Sequence, residues 1–554
     1  MTGGAGGAGG DFGGAGGKAG HGGASGTLGA GGTPAGGSAG EDGSAGASEP
    51  CASPSPPPAP LRRLSRFEYD NTVRDLFGDT SHPANALPFD AYDDVSAEAS
   101  TSLVEGYHRL AHDFAASVAG TLADAAAFAG CDPESLGEAA CRDQFLGDFV
   151  TRTFRRPITA DDLQAFSAVF ANGRVLVGDF SGGVRAVVEV ALQSPEFLYR
   201  PELGEPATDR GPGWARPTPY EMASRLSYFF WGSTPDAALL HAAEAGELDT
   251  EDGLESQARR LLADDRARDA VGYFYLRLLH LLDAEFPAAG EPTEPRFTAE
   301  IPPLLLEETR AFTAALTLDG TSDLKALLTA RYTFMNGALA EFYGIPAVTG
   351  SAFRRVELEP SQRGGLLTQA SFLASNAARD VTLPSRRGWL VTSGFLCSEV
   401  PPHPTPPEVP PPVTGQTTRE RYAEQASDPA CAGCHQAVDP VGFAFEHYDA
   451  AGLWRDVESG LPIDASGELV EPDAAGRFDG ALELSALIAD SPGAQRCFAR
   501  NWFSFAHGRS VVDADACALE DLERAFSDQK LNLLELLVSL TKTDAFRYMP
   551  EVTP

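Results

Sequence analysis

The pentapeptide Cys431-Ala432-Gly433-Cys434-His435 names a chemistry more directly than any other part of this chain. C-x-x-C-H is the attachment pattern of c-type haem. Two thiols one helical turn apart each add to a haem vinyl group, and the histidine that follows lies under the iron as its proximal ligand. Cys431 and Cys434 are therefore the candidate covalent attachment points, and His435 is the candidate iron ligand. A haem held this way also needs a sixth ligand or a vacancy. Methionine or histidine there favours electron transfer, and an open position permits small-molecule chemistry. The downstream candidates are His447, His507 and Met549. Each also has a bland reading: a surface histidine, a structural histidine in a helix, and a residue of a loose C-terminal tail.

The same cysteine spacing serves other chemistries. A thioredoxin-like pair sits at the start of a helix after a strand, whereas the approach to Cys431 is Pro-rich and polar. A closed zinc site needs a second pair of Cys or His at suitable spacing, and none is present. A structural disulfide stays open as a further reading. Just beyond the motif, Asp439-Pro440, Glu446 and Asp449 form an acidic group. It could organise the surroundings of a haem, or simply form turns and caps. Arg155 and Arg156 could hold an anion or pair with local carboxylates. No G-x-S-x-G, Walker A or H-E-x-x-H pattern occurs.

Elements must position these residues, and the composition points to helices. The 554 residues carry a formal charge of −36 and a pI near 4.6, which argues against nucleic acid as a partner. No apolar run is long enough to span a bilayer. Residues 1–60 are a Gly/Ala-rich tract followed by a proline tract. They are expected to be a disordered tether, because they bury too little apolar surface to offset their ordering entropy. Met1 is not followed by a signal segment, so export would require a start upstream of it.

After residue 60 the apolar spacing is helical. Ser65 and Glu68 have capping-box spacing, with Gly78 as the stop. Residues 103–128 read as one helix. Thr159 caps another, and Thr218-Pro219-Tyr220-Glu221 opens a further one. Short β-prone pieces predict a small hairpin near 457–478. The expected fold is mainly α, a multidomain helical array. Its blocks are 61–130, 131–205, 215–347, 360–456 (with the Pro-rich connector and the CxxCH segment) and 457–554.

Eight cysteines bear on the compartment. Cys131/Cys141 and Cys497/Cys517 each flank a short segment and are candidate local disulfides, as in an oxidising compartment. Cys51 and Cys397 would then pair with each other or stay reduced.

Longer stretches are similar to a known family. Arg63-Leu64-Ser65-Arg66-Phe67-Glu68-Tyr69-Asp70-Asn71-Thr72-Val73-Arg74-Asp75-Leu76 looks like its first domain, and Phe154-Arg155-Arg156-Pro157 like its second. Ser194-Pro195-Glu196-Phe197-Leu198-Tyr199 with Ala223-Ser224-Arg225-Leu226-Ser227-Tyr228-Phe229-Phe230-Trp231 looks like its third. Arg363-Gly364-Gly365-Leu366-Leu367-Thr368-Gln369, the CxxCH segment and Asp439-Pro440-Val441-Gly442-Phe443-Ala444-Phe445-Glu446 look like the fourth. Cys497-Phe498-Ala499-Arg500, Ala506-His507-Gly508-Arg509 and Asp544-Ala545-Phe546-Arg547 look like the fifth. The chain thus resembles the exported bacterial multidomain proteins of the planctomycete-type cytochrome c group, assembled from consecutive domains of unknown function. The resemblance implies a cell-envelope or secreted protein with a haem c-like segment. One departure stands out: relatives often carry Met three residues after the motif histidine, where this chain has Val438.

Together these readings predict an exported protein with one covalent haem c. It would act in electron transfer or a haem-dependent redox step with a redox partner that the sequence does not name. Two other classes stand beside it. One is a non-catalytic envelope scaffold or binding protein, associated with the envelope or a polysaccharide and with a structural CxxC. The other is a metal-dependent hydrolase, which would hold zinc or calcium.

Overall fold

The computed structural model describes residues 55–90, 98–286, 294–345, 348–378, 380–400, 413–427, 432–470, 473 and 475–552. Most of the expected tether, as well as Cys51, Cys431 and the 401–412 proline connector, lies outside them. Among the described residues there are 23 α-helices and only short antiparallel sheets of two or three strands, so core packing is helix on helix. No helix among them is long and apolar enough to cross a membrane.

Local signals set most helix ends. Ser65 accepts from the Glu68 N–H while the Glu68 carboxylate accepts from the Ser65 N–H, and this capping box opens helix Arg66–Phe77. Gly78 closes it at φ 75°, a left-handed stop that suits glycine. Thr218 and Glu221 make the same reciprocal pair at the start of helix Pro219–Trp231, and Thr159 caps Ala160–Val177. The stretch expected as one helix over 103–128 is two, Thr101–Val118 and Leu122–Ala129. Thr121 and Asp124 form their own capping box, so a new helix starts where the old one would have continued.

The predicted small hairpin is two antiparallel pairs, Val457–Glu458 with Leu461–Pro462 and Ser466–Leu469 with Gly476–Asp479. Met549 does not sit in a loose tail. Met549–Pro550 pairs with Trp214–Arg216, whose other edge takes Glu205–Pro206, and Met549 is buried. Tyr548 packs edge-on against Trp214 behind this small sheet.

Residues 53–554 form one compact unit. Its largest buried cluster joins Met222, Phe274, Phe372, Phe445, Trp502 and Phe546, which come from three of the blocks read in the sequence. A second cluster gathers residues of 64–197 around Tyr69, Phe145 and Phe197 and includes Tyr228.

Cys131 and Cys141 form the expected disulfide. Cys497 does not pair with Cys517, nor Cys397 with Cys51: Cys397 bridges Cys497 across 100 residues, with their Cα atoms 5.4 Å apart. The reason is helix packing. Cys397 lies just beyond helix Pro384–Phe395, and helix Pro492–His507 lays Cys497 against the backbone of Gly394. Cys517 is disulfide-bonded as well.

Candidate functional site

Cys434 and His435 stand in the first turn of helix Ala432–Phe443, and Cys431 immediately precedes the described part of that helix. Helix Thr418–Ala426 comes before it in the chain, so the motif joins two helices rather than a strand and a helix. Pro440 lies inside the 432–443 helix, where it removes one backbone N–H from the helical ladder. Two glycines bring this helix against helix Pro384–Phe395. A Cβ on Gly388 would overlap the carbonyl oxygen of Val438, and a Cβ on Gly442 would overlap that of Pro384. The backbones meet at a distance only glycine permits.

That contact fixes the surroundings of His435. Its ring is buried, at 4 % exposure, and Nδ1 lies 2.8 Å from Oδ2 of Asp439, one turn further along the helix. Ser385 donates its hydroxyl hydrogen to the other carboxylate oxygen of Asp439, and its Oγ is 3.3 Å from His435 Nδ1. Asp439 is itself buried. Burial raises its carboxyl above the usual range, and the bonds from Ser385 and His435 oppose the rise. With Nδ1–H donating to a carboxylate, Nε2 is the nitrogen left with a lone pair, the arrangement typical of a metal-ligating histidine. Tyr422, from the 418–426 helix, sets its ring edge-on to His435 with centroids 6.1 Å apart. Burial, followed by the charges of Asp439 and Glu446, pushes its phenol well above the ordinary value.

A buried charged group supports the far end of the helix. Arg387 is fully buried and donates to the carbonyls of Leu373, Phe445, Tyr448 and Asp449, tying the turn after the 432–443 helix to its neighbours. Burial lowers its guanidinium to about 10. Glu446 takes hydrogen bonds from Thr382 at 2.7 Å and Arg455 at 3.0 Å, and burial raises its carboxyl. Asp449 caps the following turn, accepting from the N–H groups of Ala451 and Leu453. Of the acidic group, then, Asp439 faces the motif histidine while Glu446 and Asp449 are structural.

The donor set fits a covalently held haem on its protein side. Cys434 is half-buried in the first turn of the helix, and His435 is held by Asp439. Each of the three candidate sixth ligands has a described partner of its own. His447 donates Nδ1–H to the Arg455 carbonyl and stacks on Trp454. His507 donates to the Phe503 carbonyl inside the aromatic core, and Met549 is in its strand. Arg155 is spent on the carbonyls of Glu196, Phe197 and Tyr199, and Arg156 on Asp162. Asp439 was legible as the i,i+4 partner of a helical His435. Ser385, Arg387 and Tyr422 were not, because nothing local ties them to the motif.

Elsewhere, the largest described cleft, of about 900 Å³, runs between helices Arg66–Phe77, Arg266–Leu278 and Ile301–Leu318. Many of its charges are paired within it, as in Arg74 with Asp269 and His82 with Asp70. Among the described residues no three of His, Cys, Asp and Glu converge to hold a metal ion.

Five family models match the chain in sequence, each described as a protein of unknown function. They are DUF1587 over residues 62–120, DUF1595 over 141–202, DUF1592 over 218–345, DUF1588 over 363–458 and DUF1585 over 476–546. The site described above lies within the fourth of these segments. No curated protein and no solved structure matches the chain.

Proposed function

Because this chain belongs to the planctomycete cytochrome-c-associated family of consecutive domains of unknown function, we propose that it is an exported haem c protein acting in electron transfer or a haem-dependent redox step in the cell envelope. Cys431 and Cys434 would hold the haem covalently, and His435 would be its proximal ligand. The observation that supports this reading is the buried pairing of His435 Nδ1 with Asp439, which leaves Nε2 with its lone pair. When bound, the haem supplies a reversible one-electron iron couple.

The chain's own residues do the rest. Asp439 holds the imidazole tautomer, and Ser385 keeps Asp439 in place. Gly388 and Gly442 let the supporting helix come close enough for Ser385 to reach. The Cys131–Cys141 and Cys397–Cys497 disulfides support an oxidising compartment.

The test is a pyridine haemochrome spectrum of the chain exported in a host with c-type maturation. Haem that resists acid–acetone extraction, and is lost in the Cys431→Ala, Cys434→Ala variant, is the expected result. In Asp439→Asn the haem should stay attached while the midpoint potential rises, because a weaker acceptor leaves His435 a poorer donor. Folded protein without covalent haem would overturn the proposal.

A further inference from the structure

A second cavity adjoins the paired-charge cleft, with which it shares Arg277. Helices Arg266–Leu278, Pro384–Phe395 and Pro492–His507 enclose a cavity of about 360 Å³. Its lining includes Arg277, His280, Trp389, Arg500, Asn501 and Arg509, and no carboxylate is among its described lining residues. That is unusual for a chain with 78 Asp and Glu against 42 Lys and Arg. The positive charge here is not uniformly free. Asp515 already takes both prongs of Arg509, at 2.6 and 2.7 Å. Arg500, two turns earlier on its helix, is exposed and has no ion-pair partner among the described residues. Glu523 feels its charge but lies beyond ion-pair distance.

The rest of the lining suits a ring with hydroxyl groups. Trp389 is 40 % exposed, so an aromatic face is open at the rim. His280 stands edge-on to it with centroids 5.5 Å apart, its backbone in the left-handed region at φ 54°. Asn501 donates its amide N–H to the Gly394 carbonyl at 2.7 Å, which fixes its Oδ1 as an acceptor. Ser393 donates to the Trp389 carbonyl, so its oxygen can still accept, and Ser504 adds a second hydroxyl. The volume falls in the lower part of the range of small-molecule sites, about 300–1,000 Å³.

We propose that this cavity binds an anionic sugar residue, its ring laid on Trp389, its hydroxyls on Asn501 and the serines, and its carboxylate or sulfate on Arg500. The site stands apart from the haem reading and does not depend on it.

The experiment is isothermal titration of the purified full chain with D-glucuronate, D-glucose 6-sulfate, D-glucose and sodium sulfate, followed in parallel by tryptophan fluorescence. At least one anionic sugar is expected to bind in the millimolar range, and which one does so identifies the acid group. D-glucose and sulfate should bind at least about tenfold more weakly, since each lacks half of the recognition. Arg500→Ala should weaken the sugar by about tenfold or more and flatten its salt dependence. Trp389→Ala should remove the fluorescence response. Both side chains are exposed, and unchanged circular dichroism and melting would show that the variants fold. The proposal is overturned if neither anionic sugar binds at tens of millimolar. It is equally overturned if sulfate binds as tightly as the sugars, or if Arg500→Ala binds like the parent.

Discussion

Replacing Glu308 by glutamine should make this protein more stable at alkaline pH and leave it nearly unchanged in mild acid. Glu308 sits on helix Ile301–Leu318 with 1 % exposure. Its two oxygens accept from Thr333 Oγ1 and Tyr343 Oη, each at 2.7 Å. Thr309, next along, bonds Gln369 and Ser371, so the carboxyl lies where the 218–345 and 363–458 segments pack together. Burial raises it from 4.5 to about 7, against the opposing bonds from Tyr343 and Thr333. A folded value above the unfolded one means stability is complete below about 4.5 and is lost as pH climbs through about 7. The gap corresponds to roughly 3 kcal/mol missing above pH 8. Glutamine carries no charge to desolvate, and its amide can keep the Tyr343 bond while turning an N–H toward Thr333. The assay is the urea midpoint of both proteins from pH 5 to 9, with hydrogen exchange of residues 301–343 to localise the effect. The two curves should coincide near pH 5 and separate as pH rises, by up to about 2–3 kcal/mol. Parallel curves would mean that Glu308 does not titrate with folding, because every other titrating group is common to both proteins.

Gly442→Ala should cost at least about 2 kcal/mol although alanine is the better helix former, because its methyl group meets the Pro384 carbonyl; a calorimetric melt at or above the parent's would contradict this. Removing the Cys397–Cys497 bridge with serines should cost about 4–5 kcal/mol, against roughly 3 for Cys131–Cys141, since the loops closed are 100 and 10 residues long; denaturant titration of the two variants gives the order. His507 is half-buried with its Nε2 shielded from solvent, and that desolvation lowers its imidazole to about 4. It contributes stability that is full above about 6.5 and is lost as pH falls through about 4. His507→Leu should flatten that acid limb in melts between pH 7 and 4.

What the sequence told was local. The capping pairs Ser65–Glu68 and Thr218–Glu221 lie within one turn and start helices as their spacing says. Thr121-x-x-Asp124 carries the same signal, and the apolar run around it hid the break. Cys131 and Cys141 bridge a short segment and paired as read. The Cys397–Cys497 bond and the pairing of Met549 with Ala215 depend on which distant helices and strands meet, which no spacing reports. The candidate site divides in the same way. Asp439 could be found one turn from His435, but Ser385 reaches the pair only through a glycine-mediated helix contact across 50 residues.

The haem proposal places Cys431 and Cys434 on the two vinyl groups and His435 on the iron. The most direct measurement is the mass of the proteolytic peptide spanning residues 431–435, taken from the exported chain made with c-type maturation. That peptide should be heavier by one haem bound through two thioethers, with the added mass gone in the Cys431→Ala, Cys434→Ala variant. The unmodified peptide, or one with the two cysteines joined as a disulfide, recovered from well-folded protein would contradict it.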